Sequence, residues 1–301
     1  MLKTSINRLT GPTMGTTWSL QYEGDADIAH LQPSLQKAVQ EVDDQMSTWT
    51  TSSNLMQFNA APCGEWIALP HHLMTVLAAG QEMTRLTNGA FEMNLGDAVQ
   101  AWGFSAAQID LSAIRAASAA YRLSSLATLE LDQTRARKTA PLSLDLSGIA
   151  KGYGVDRLAE IAKDFGLNAL CEIDGELRAL GDRPWPVAIQ SPDTHSYVTH
   201  SYVTLTDGAL ATSGDYRHFV MVKGQRLSHT IDPRRRSPVI AAPASVTVMA
   251  ETYMQADAMA TVLLVMGADQ GLAFAKSQAI SALFLIRGPK GIKAKGTGIF
   301  S

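Results

Sequence analysis

Ala169-Leu170-Cys171-Glu172-Ile173 is the first of four short strand candidates in succession. Trp185–Gln190 (WPVAIQ), Tyr202–Thr206 (YVTLT) and Phe219–Val222 (FVMV) follow it, separated by Gly, Pro and Asp turns. A doubly wound sheet needs a helix between successive parallel strands, and no segment of helical period lies between these four. Outward from them, Thr16–Tyr22 alternates, with Trp18, Leu20 and Tyr22 on one face of a half-buried strand. Ser245–Ala250 and Ile280–Arg287 are further strand candidates. Helical spacing runs through Leu31–Met46 (Leu35, Ala38, Val39, Val42, Met46) and through Leu73–Leu86, which stops at Thr87-Asn88-Gly89, a suitable left-handed cap. Ile149–Phe165, closed by Gly166, and Met254–Met266, closed by Gly267, are the other two helices. Strands and helices mixed without regular alternation predict an α+β fold, and no long linker divides the chain.

The 301 residues suffice for one large core or two closely joined ones. An apolar share of 46% with 18% charged residues excludes a disordered, collagen-like or acidic-tail protein. The net charge of −3 gives no broad electrostatic footprint for nucleic acid. Cys63 and Cys171 lie far apart without a CxxC or Cys/His cluster, which argues against a disulfide framework and a structural zinc site. Met1–Thr10 holds neither an apolar run of signal-peptide length nor a small-residue cleavage site, so the expectation is a cytoplasmic protein. A chain whose leader had been removed ahead of a new Met1 would read the same, and would be periplasmic. The longest apolar stretches, around Thr261–Gly267 and Ile280–Ile286, are too short to span a bilayer. Thr194–Val198 followed by Thr199–Val203 (THSYV twice) is the one internal repeat, and reads as a local duplication in a hairpin or loop.

Familiar motifs are missing. Gly152 and Gly154 are followed by Val155, Asp156 and Arg157, so there is no G-x-G-x-x-G; nor is there a Walker loop, HExxH, GxSxG or EF-hand loop. Short polar segments remain. In Leu144–Gly154 (LDLSGIAKGYG), Leu142, Leu144 and Leu146 suggest a strand, followed by Ser-Gly and a helix with Val155, Leu158, Ala159 and Ala162 at helical spacing. The free N–H groups and positive dipole end at such a turn suit a phosphate. Lys151 in the first turn opposes the dipole and points to a neighbouring anion; the plain alternative is a Ser-capped helix with a solvated Lys.

Asp257 and Thr261 stand i, i+4 on a helix otherwise lined by Ala256, Ala258, Met259, Ala260 and Val262. Hard oxygens of this kind suit Mg²⁺, which completes its shell with water and phosphate. A buried, unpaired Asp also calls for a cation, whereas on a solvated face the pair would be ordinary. His229 and Asp232, in Ser228–Arg234, can face a cleft, or His229 can be a structural hydrogen-bonder. Arg234, Arg235 and Arg236 read either as a solvated loop or as a phosphate attractor. Three further segments, Pro12–Thr17, Met46–Asn54 and Asn88–Asn94 with Val99–Phe104, read singly as turns or core edges. Trp49 in the second can stack on a flat ring or cover the core.

Together and in order, TMGTTW, MSTWTTSSNLMQFN, GAFEMNLGDAVQAWGF, LDLSGIAKGYGVD, DGELRALG, ALATSGDYRHF, HTIDPRRRSPV and QADAMATVLLVMG resemble the FAD:protein FMN transferases, the flavin transferase family of ApbE type. The matching stretches lie between Gly11 and Gly267. Glu92 stands where that family usually has Asp, Met93-Asn94 replaces Pro-Thr, and Arg235-Arg236 replaces a Thr-Gly turn. The resemblance implies a single flavin transferase domain over residues 1–301, as one unit or as two closely packed halves with FAD in the cleft between them. It implies an enzyme that splits FAD, attaches FMN through a phosphodiester to a Ser or Thr hydroxyl in a short acceptor motif of a target flavoprotein, and releases AMP. Carried onto this chain, the Mg²⁺ ligands are the side chains of Asp257 and Thr261 and the backbone carbonyl of Gly148. The FAD contacts are Met14, Trp49, Ala90, Phe91, Glu92, Asp145, Lys151 and the Thr230 region, and His229 matches a histidine important for catalysis.

The residues agree with this chemistry. Attack on a diphosphate requires charge on phosphoryl oxygens to be neutralised, which Mg²⁺ and Lys151 can do. The acceptor hydroxyl needs a base, His229 or Asp257; an Asp bound to Mg²⁺ is the weaker base, which favours His229. With water in place of the protein hydroxyl, the same site would make a FAD pyrophosphatase yielding FMN and AMP. A flavin-binding protein without turnover is the third reading, and the Asp257/Thr261 pair argues against it because storage needs no divalent ion.

Overall fold

The structure is a computed structural model and describes residues 5–106, 108–120, 122–192, 198–215, 219–222, 225–240, 242–289 and 291–301. From the N-terminus, β1 (Ile6–Thr13) and β2 (Thr16–Glu23) lead into α1 (Ile28–Met46). Then come α2 (Asn54–Ala60), β3 (Trp66–Ala68), α3 (His71–Leu86), α4 (Gly96–Ala101), α5 (Leu111–Ala119) and α6 (Ser125–Thr128). β4 (Leu129–Asp132) and β5 (Arg135–Lys138) precede α7 (Ala150–Asp164), β6 (Ala169–Ile173), β7 (Glu176–Leu180), β8 (Trp185–Gln190), β9 (Thr199–Leu205) and β10 (Gly208–Gly214). Two short hairpins follow, β11 (Phe219–Val222) with β12 (Gln225–Ser228) and β13 (Ile231–Asp232) with β14 (Ser237–Pro238). β15 (Ser245–Ala250), α8 (Tyr253–Ser277), β16 (Ser281–Gly288) and β17 (Gly291–Thr297) follow, with a short 3-10 turn at Gly298–Phe300 after them.

These elements form two compact units. The first comprises Met1–Glu41, Lys151–Tyr216 and Pro243–Ser301. Its frame is an eight-stranded sheet in the order β1-β2-β6-β7-β10-β15-β16-β17, antiparallel at every neighbour. The expected α+β class therefore holds. Two of its hairpins close on Met14-Gly15 (φ 46° and 72°) and Asp174-Gly175 (φ 55° and 82°), with positive φ at both central residues, as the twist of the flanking strands favours. Side-chain alternation along β16 divides the two faces of the sheet. Phe284 packs on Gly271 of α8, while Leu283 and Leu285 join Trp185, Val187, Ile189 and Leu205 of the β8–β9 hairpin.

α8 has the length and hydropathy of a membrane span, alone among the described helices. It packs instead against β10, β15 and β16, with Ala256, Ala258, Ala260, Val262, Leu263 and Leu264 fully buried, as a core helix does. Gly267 (φ 78°, ψ 176°) breaks it where a stop is expected, but a second helical stretch continues to Ser277.

The second unit comprises Val42–Ala150 and Arg217–Ala242. α3 buries Leu73, Val76 and Leu77 and ends, as the Asn-Gly signal predicts, at Asn88 (φ 49°) and Gly89 (φ 77°). α4 and α5 pack with Ile231 around Leu95, Ala98, Val99, Ala101 and Ala117. β3, β5 and β4 make a small antiparallel sheet.

One expected strand is not a strand. Leu142, Leu144 and Leu146 are buried, yet their segment joins no sheet. Asn94 Oδ1 accepts the Ser143 N–H (3.0 Å), and Asn59 Oδ1 accepts the Leu144 N–H (2.8 Å). Asn59 Nδ2 donates to the Leu144 carbonyl (2.9 Å), and the Asp145 N–H donates to Met93 O (2.8 Å). Each Asn amide offers a donor and an acceptor, so two side chains meet the backbone where a neighbouring strand otherwise would. The second THSYV copy opens β9, which starts at Thr199 rather than Tyr202; Thr194–Tyr197 of the first copy lie outside the described residues. Cys63 is an exposed and Cys171 a buried free thiol.

Candidate active site

Within the first unit, Lys151 and Gly152 open α7, and Asp257 and Thr261 stand on successive turns of α8. The Gly152 N–H donates to Asp257 Oδ2 (3.2 Å). One turn further along α7, the Asp156 carboxylate accepts the N–H groups of Tyr253 (2.8 Å) and Met254 (2.9 Å). As α7 advances four residues α8 recedes by three or four, so the helices run antiparallel here. They approach closely because Gly152 has no side chain: a Cβ would lie 3.0 Å from both Met254 Cα and Asp257 Cβ. Gly154 makes similar room for Met14, whose Cε would lie 3.0 Å from a Cβ placed there. The fold thus brings Met14, Lys151, Asp257 and Thr261 to the start of α7 and its neighbours.

The anion beside Lys151 is carboxylate. Its Nζ lies 2.8 Å from Glu176 Oε1 and 3.6 Å from Asp174 Oδ2, both delivered by the Asp174-Gly175 turn. Burial disfavours the ammonium, but Glu176, Asp257 and Asp174 outweigh it and raise the Lys151 pKa above the ordinary value. Asp257 is pushed well above the usual carboxylate range, by burial first and by Glu176 next, against the attraction of Lys151 and the Gly152 N–H. Thr261 Oγ1 shares a hydrogen bond with Ser213 Oγ of β10 (3.1 Å). A carboxylate so disfavoured as a lone anion, one turn from a hydroxyl, fits a hard divalent cation that neutralises it. Among the described residues no group of three His, Cys, Asp or Glu is placed to hold a metal, so a cation here would draw further oxygens from backbone, water or phosphate.

The second unit holds the remaining candidates. Trp49, after α1, is 65% exposed and does not cover the core, which leaves its ring available for stacking. Ala90 and Phe91 are buried. Glu92 has intramolecular partners: Oε1 accepts the N–H groups of Asn94 (2.8 Å) and Ser125 (3.0 Å), and Oε2 accepts from Ser124 Oγ (2.6 Å), which fastens the start of α6. Asp145 Oδ1 accepts the Ser147 N–H (3.0 Å), while the buried Oδ2 has no hydrogen-bond partner among the described residues. Burial raises the Asp145 pKa against the opposing pull of the Ser147 hydroxyl and N–H. Gly148 lies in the turn before α7. His229 meets the Phe104 ring edge-on at 6.4 Å, and Thr230 O accepts the Val239 N–H (2.9 Å) across the β13–β14 hairpin.

Arg234 and Arg235 are exposed, as a solvated loop would have them, but Arg236 is buried. Its guanidinium donates to Ala117 O (3.0 Å) and Asn94 O (3.0 Å) and pairs with Asp97. The basic run is therefore no uniform phosphate attractor.

The ApbE family model matches residues 14–284. The chain belongs to the ApbE family. A FAD:protein FMN transferase of Vibrio cholerae is 36% identical, over 97% of this chain and 91% of its own length; one of Haemophilus influenzae is 31% identical, over 99% and 91%. Among solved structures, the flavin transferase ApbE from Vibrio cholerae superposes with a TM-score of 0.87 at 33% identity, covering 99% of this chain and 98% of its own. The apo form of Pseudomonas stutzeri flavinyl transferase ApbE reaches 0.86 at 33% identity, over 98% and 95%.

In this ApbE chain, Glu176, Asp156 and Ser213 join the site's neighbourhood; they lie in the stretches DGELRALG, LDLSGIAKGYGVD and ALATSGDYRHF, but nothing within those stretches assigns them a role. Only the Asp-Gly ahead of Glu176 carries a local signal, a hairpin turn that sets both acids toward Lys151. Asp156 and Ser213 act through contacts made 97 and 48 residues away in sequence, to which no local pattern points.

Proposed function

We propose that this chain transfers FMN from FAD to a Ser or Thr hydroxyl of a target flavoprotein, with Mg²⁺ as the required cation. Curated relatives named FAD:protein FMN transferase, matched over nearly their whole length, support the activity. The observation that carries the cation's part is Asp257: a carboxylate disfavoured as a lone anion, one helical turn from the Thr261 hydroxyl.

In this reading Asp257 and Thr261, with the Gly148 carbonyl, hold Mg²⁺, which when bound neutralises charge on the diphosphate oxygens. The Gly152 N–H keeps Asp257 Oδ2 aimed. Lys151, oriented by Glu176, adds a second positive charge for the phosphoryl oxygens. Trp49 offers its exposed face to the isoalloxazine ring, and Asp145 Oδ2 accepts from a flavin hydroxyl or N–H. Met14, Ala90, Phe91, Glu92 and Thr230 shape the remaining contacts. The acceptor oxygen bonds to the FMN phosphorus, the bond from that phosphorus to the bridging oxygen breaks, and AMP leaves with that oxygen. His229 takes the hydroxyl proton.

Incubation with FAD, Mg²⁺ and a flavoprotein bearing a Ser/Thr acceptor segment tests the proposal. Intact-mass spectrometry should show one added FMN on the target and stoichiometric AMP in solution, both lost with EDTA. Free FMN and AMP with an unmodified target would instead establish hydrolysis, and FAD binding indifferent to Mg²⁺ without AMP would establish a carrier.

A further inference from the structure

Asp156 takes part in neither the flavin nor the cation contacts assigned above, yet the residue is 4% exposed and its carboxylate accepts three hydrogen bonds. Oδ1 receives Arg178 Nη1 (2.6 Å) and the Tyr253 N–H (2.8 Å); Oδ2 receives the Met254 N–H (2.9 Å). α8 does not need Asp156 merely to be capped, because the Thr252 side chain already accepts the Gln255 N–H (3.3 Å). What Asp156 adds is location: it fastens the first turn of α8 to α7, and Arg178 of β7 fastens Asp156 in turn. Asp257 follows Met254 by three residues, less than one turn, so the anchored backbone and the Asp257 carboxylate move as one piece. The Gly152 N–H, from the same face of α7, also holds Asp257, at 3.2 Å.

We propose that Asp156 is a positioning residue for the divalent cation: by pinning the start of α8 against α7 it sets where the Asp257 and Thr261 oxygens stand. The inference rests on the reading of Asp257 and Thr261 as cation ligands. Asp156→Asn keeps the shape but turns one acceptor into an NH₂ donor, which must face either the Met254 N–H or the Arg178 and Tyr253 donors. One side of the anchor is then lost.

The test is Mn²⁺ binding to the purified full chain, titrated by EPR with FAD present and absent. It compares wild type, Asp156→Asn, Asp257→Asn and Val187→Ala, a destabilising control in the β8–β9 core. Asp257→Asn should abolish the site, and Asp156→Asn should weaken Mn²⁺ about tenfold or more, as loss of a group that orients a metal ligand does. Val187→Ala, compared at equal loss of Tm, should bind Mn²⁺ as wild type does. Wild-type affinity in Asp156→Asn, or an equal weakening in Val187→Ala, overturns the positioning role alone. Unchanged binding in Asp257→Asn overturns the cation reading and this inference with it. Should Asp156→Asn fail to fold, Arg178→Lys carries the comparison: it keeps the charge but loses the planar fork, and about threefold weaker Mn²⁺ is expected; wild-type affinity there overturns the inference.

Discussion

Gly152 and Asp257 meet across α7 and α8 so closely that the Gly152 N–H reaches Asp257 Oδ2 at 3.2 Å, while a methyl on Gly152 would stand 3.0 Å from the Asp257 Cβ. Two effects of Gly152→Ala oppose each other. Alanine favours the helix by about 1 kcal/mol, whereas its methyl must push α8, and Asp257 with it, off α7. A displacement approaching 1 Å at a phosphoryl-transfer site costs about a hundredfold in rate. The expected outcome is a folded protein whose FMN transfer falls by about that factor and needs more Mg²⁺ for half-saturation. Rates measured across Mg²⁺ concentrations decide it, and a wild-type Mg²⁺ profile would contradict the assignment.

Asp257→Asn should separate stability from activity. In the cation-free protein the Asp257 carboxylate is disfavoured by burial and by Glu176, so a neutral isostere relieves the first unit. Without added divalent ions, the variant's Tm should rise by about 2–4 °C, the effect of ~1 kcal/mol in a chain of this size. FMN transfer should meanwhile fall at least about a thousandfold, the scale set by removing a group that stabilises transition-state charge. Thermal melts with EDTA and a transfer assay with Mg²⁺ are the measurements; a lower Tm in the variant would count against the electrostatic account.

Much of the frame is legible in the chain because it depends on period and turn chemistry alone. β6, β8, β11 and β15 fall where alternation and flanking turns place them, and α3 stops at Asn88-Gly89. The segment Leu142–Leu146 misleads for a physical reason. Its alternating burial is real, but what satisfies a backbone is not written in its own residues, and here Asn59 and Asn94 supply it from elsewhere. The site divides in the same way. Asp257 and Thr261 share a helix, so their spacing makes them candidates in the sequence alone, whereas Glu176 and Asp156 become candidates only through the sheet and helix packing that brings them to Lys151 and to α8. Arg236 is the opposite case, a surface-looking residue in a basic run that the fold buries.

Arg236 adopts φ 55°, a left-handed conformation that suits glycine. Arg236→Gly would ease that backbone but would remove the donors to Ala117 O and Asn94 O and one of the two arginines on Asp97; Arg122 remains at 3.1 Å. Losing a buried charge partner costs about 3–5 kcal/mol, and retention of Arg122 and relief at φ bring the expectation down to about 2–3 kcal/mol. Tm should fall by roughly 4–10 °C. Arg234→Ala and Arg235→Ala, on exposed residues, should stay within about 0.5 kcal/mol of wild type. Urea unfolding of the three variants compares them directly, and equal effects would show that the guanidinium of Arg236 is not an anchor.

Asp145 gives a pH signature. Its pKa lies above the ordinary 3.8 in the folded protein because burial outweighs the Ser147 hydroxyl and N–H, and Oδ2 is buried without a partner among the described residues. Between the unfolded and folded pKa values the folded state binds more protons, so this residue's contribution to stability falls as pH rises and stays unfavourable above the folded pKa. Asp145→Asn removes that contribution while an amide oxygen can still accept the Ser147 N–H. The variant and wild type should unfold alike near pH 4, the variant becoming the more stable as pH rises, by about 1 kcal/mol at pH 8. FAD should bind it about tenfold more weakly, because an amide NH₂ placed at Oδ2 cannot accept the hydrogen bond proposed there. Urea melts across that pH range, read beside FAD titrations, check both halves. A stability difference that shrinks with rising pH would mean that the carboxylate is stabilised in the fold, and that Oδ2 is not the acceptor waiting for the flavin.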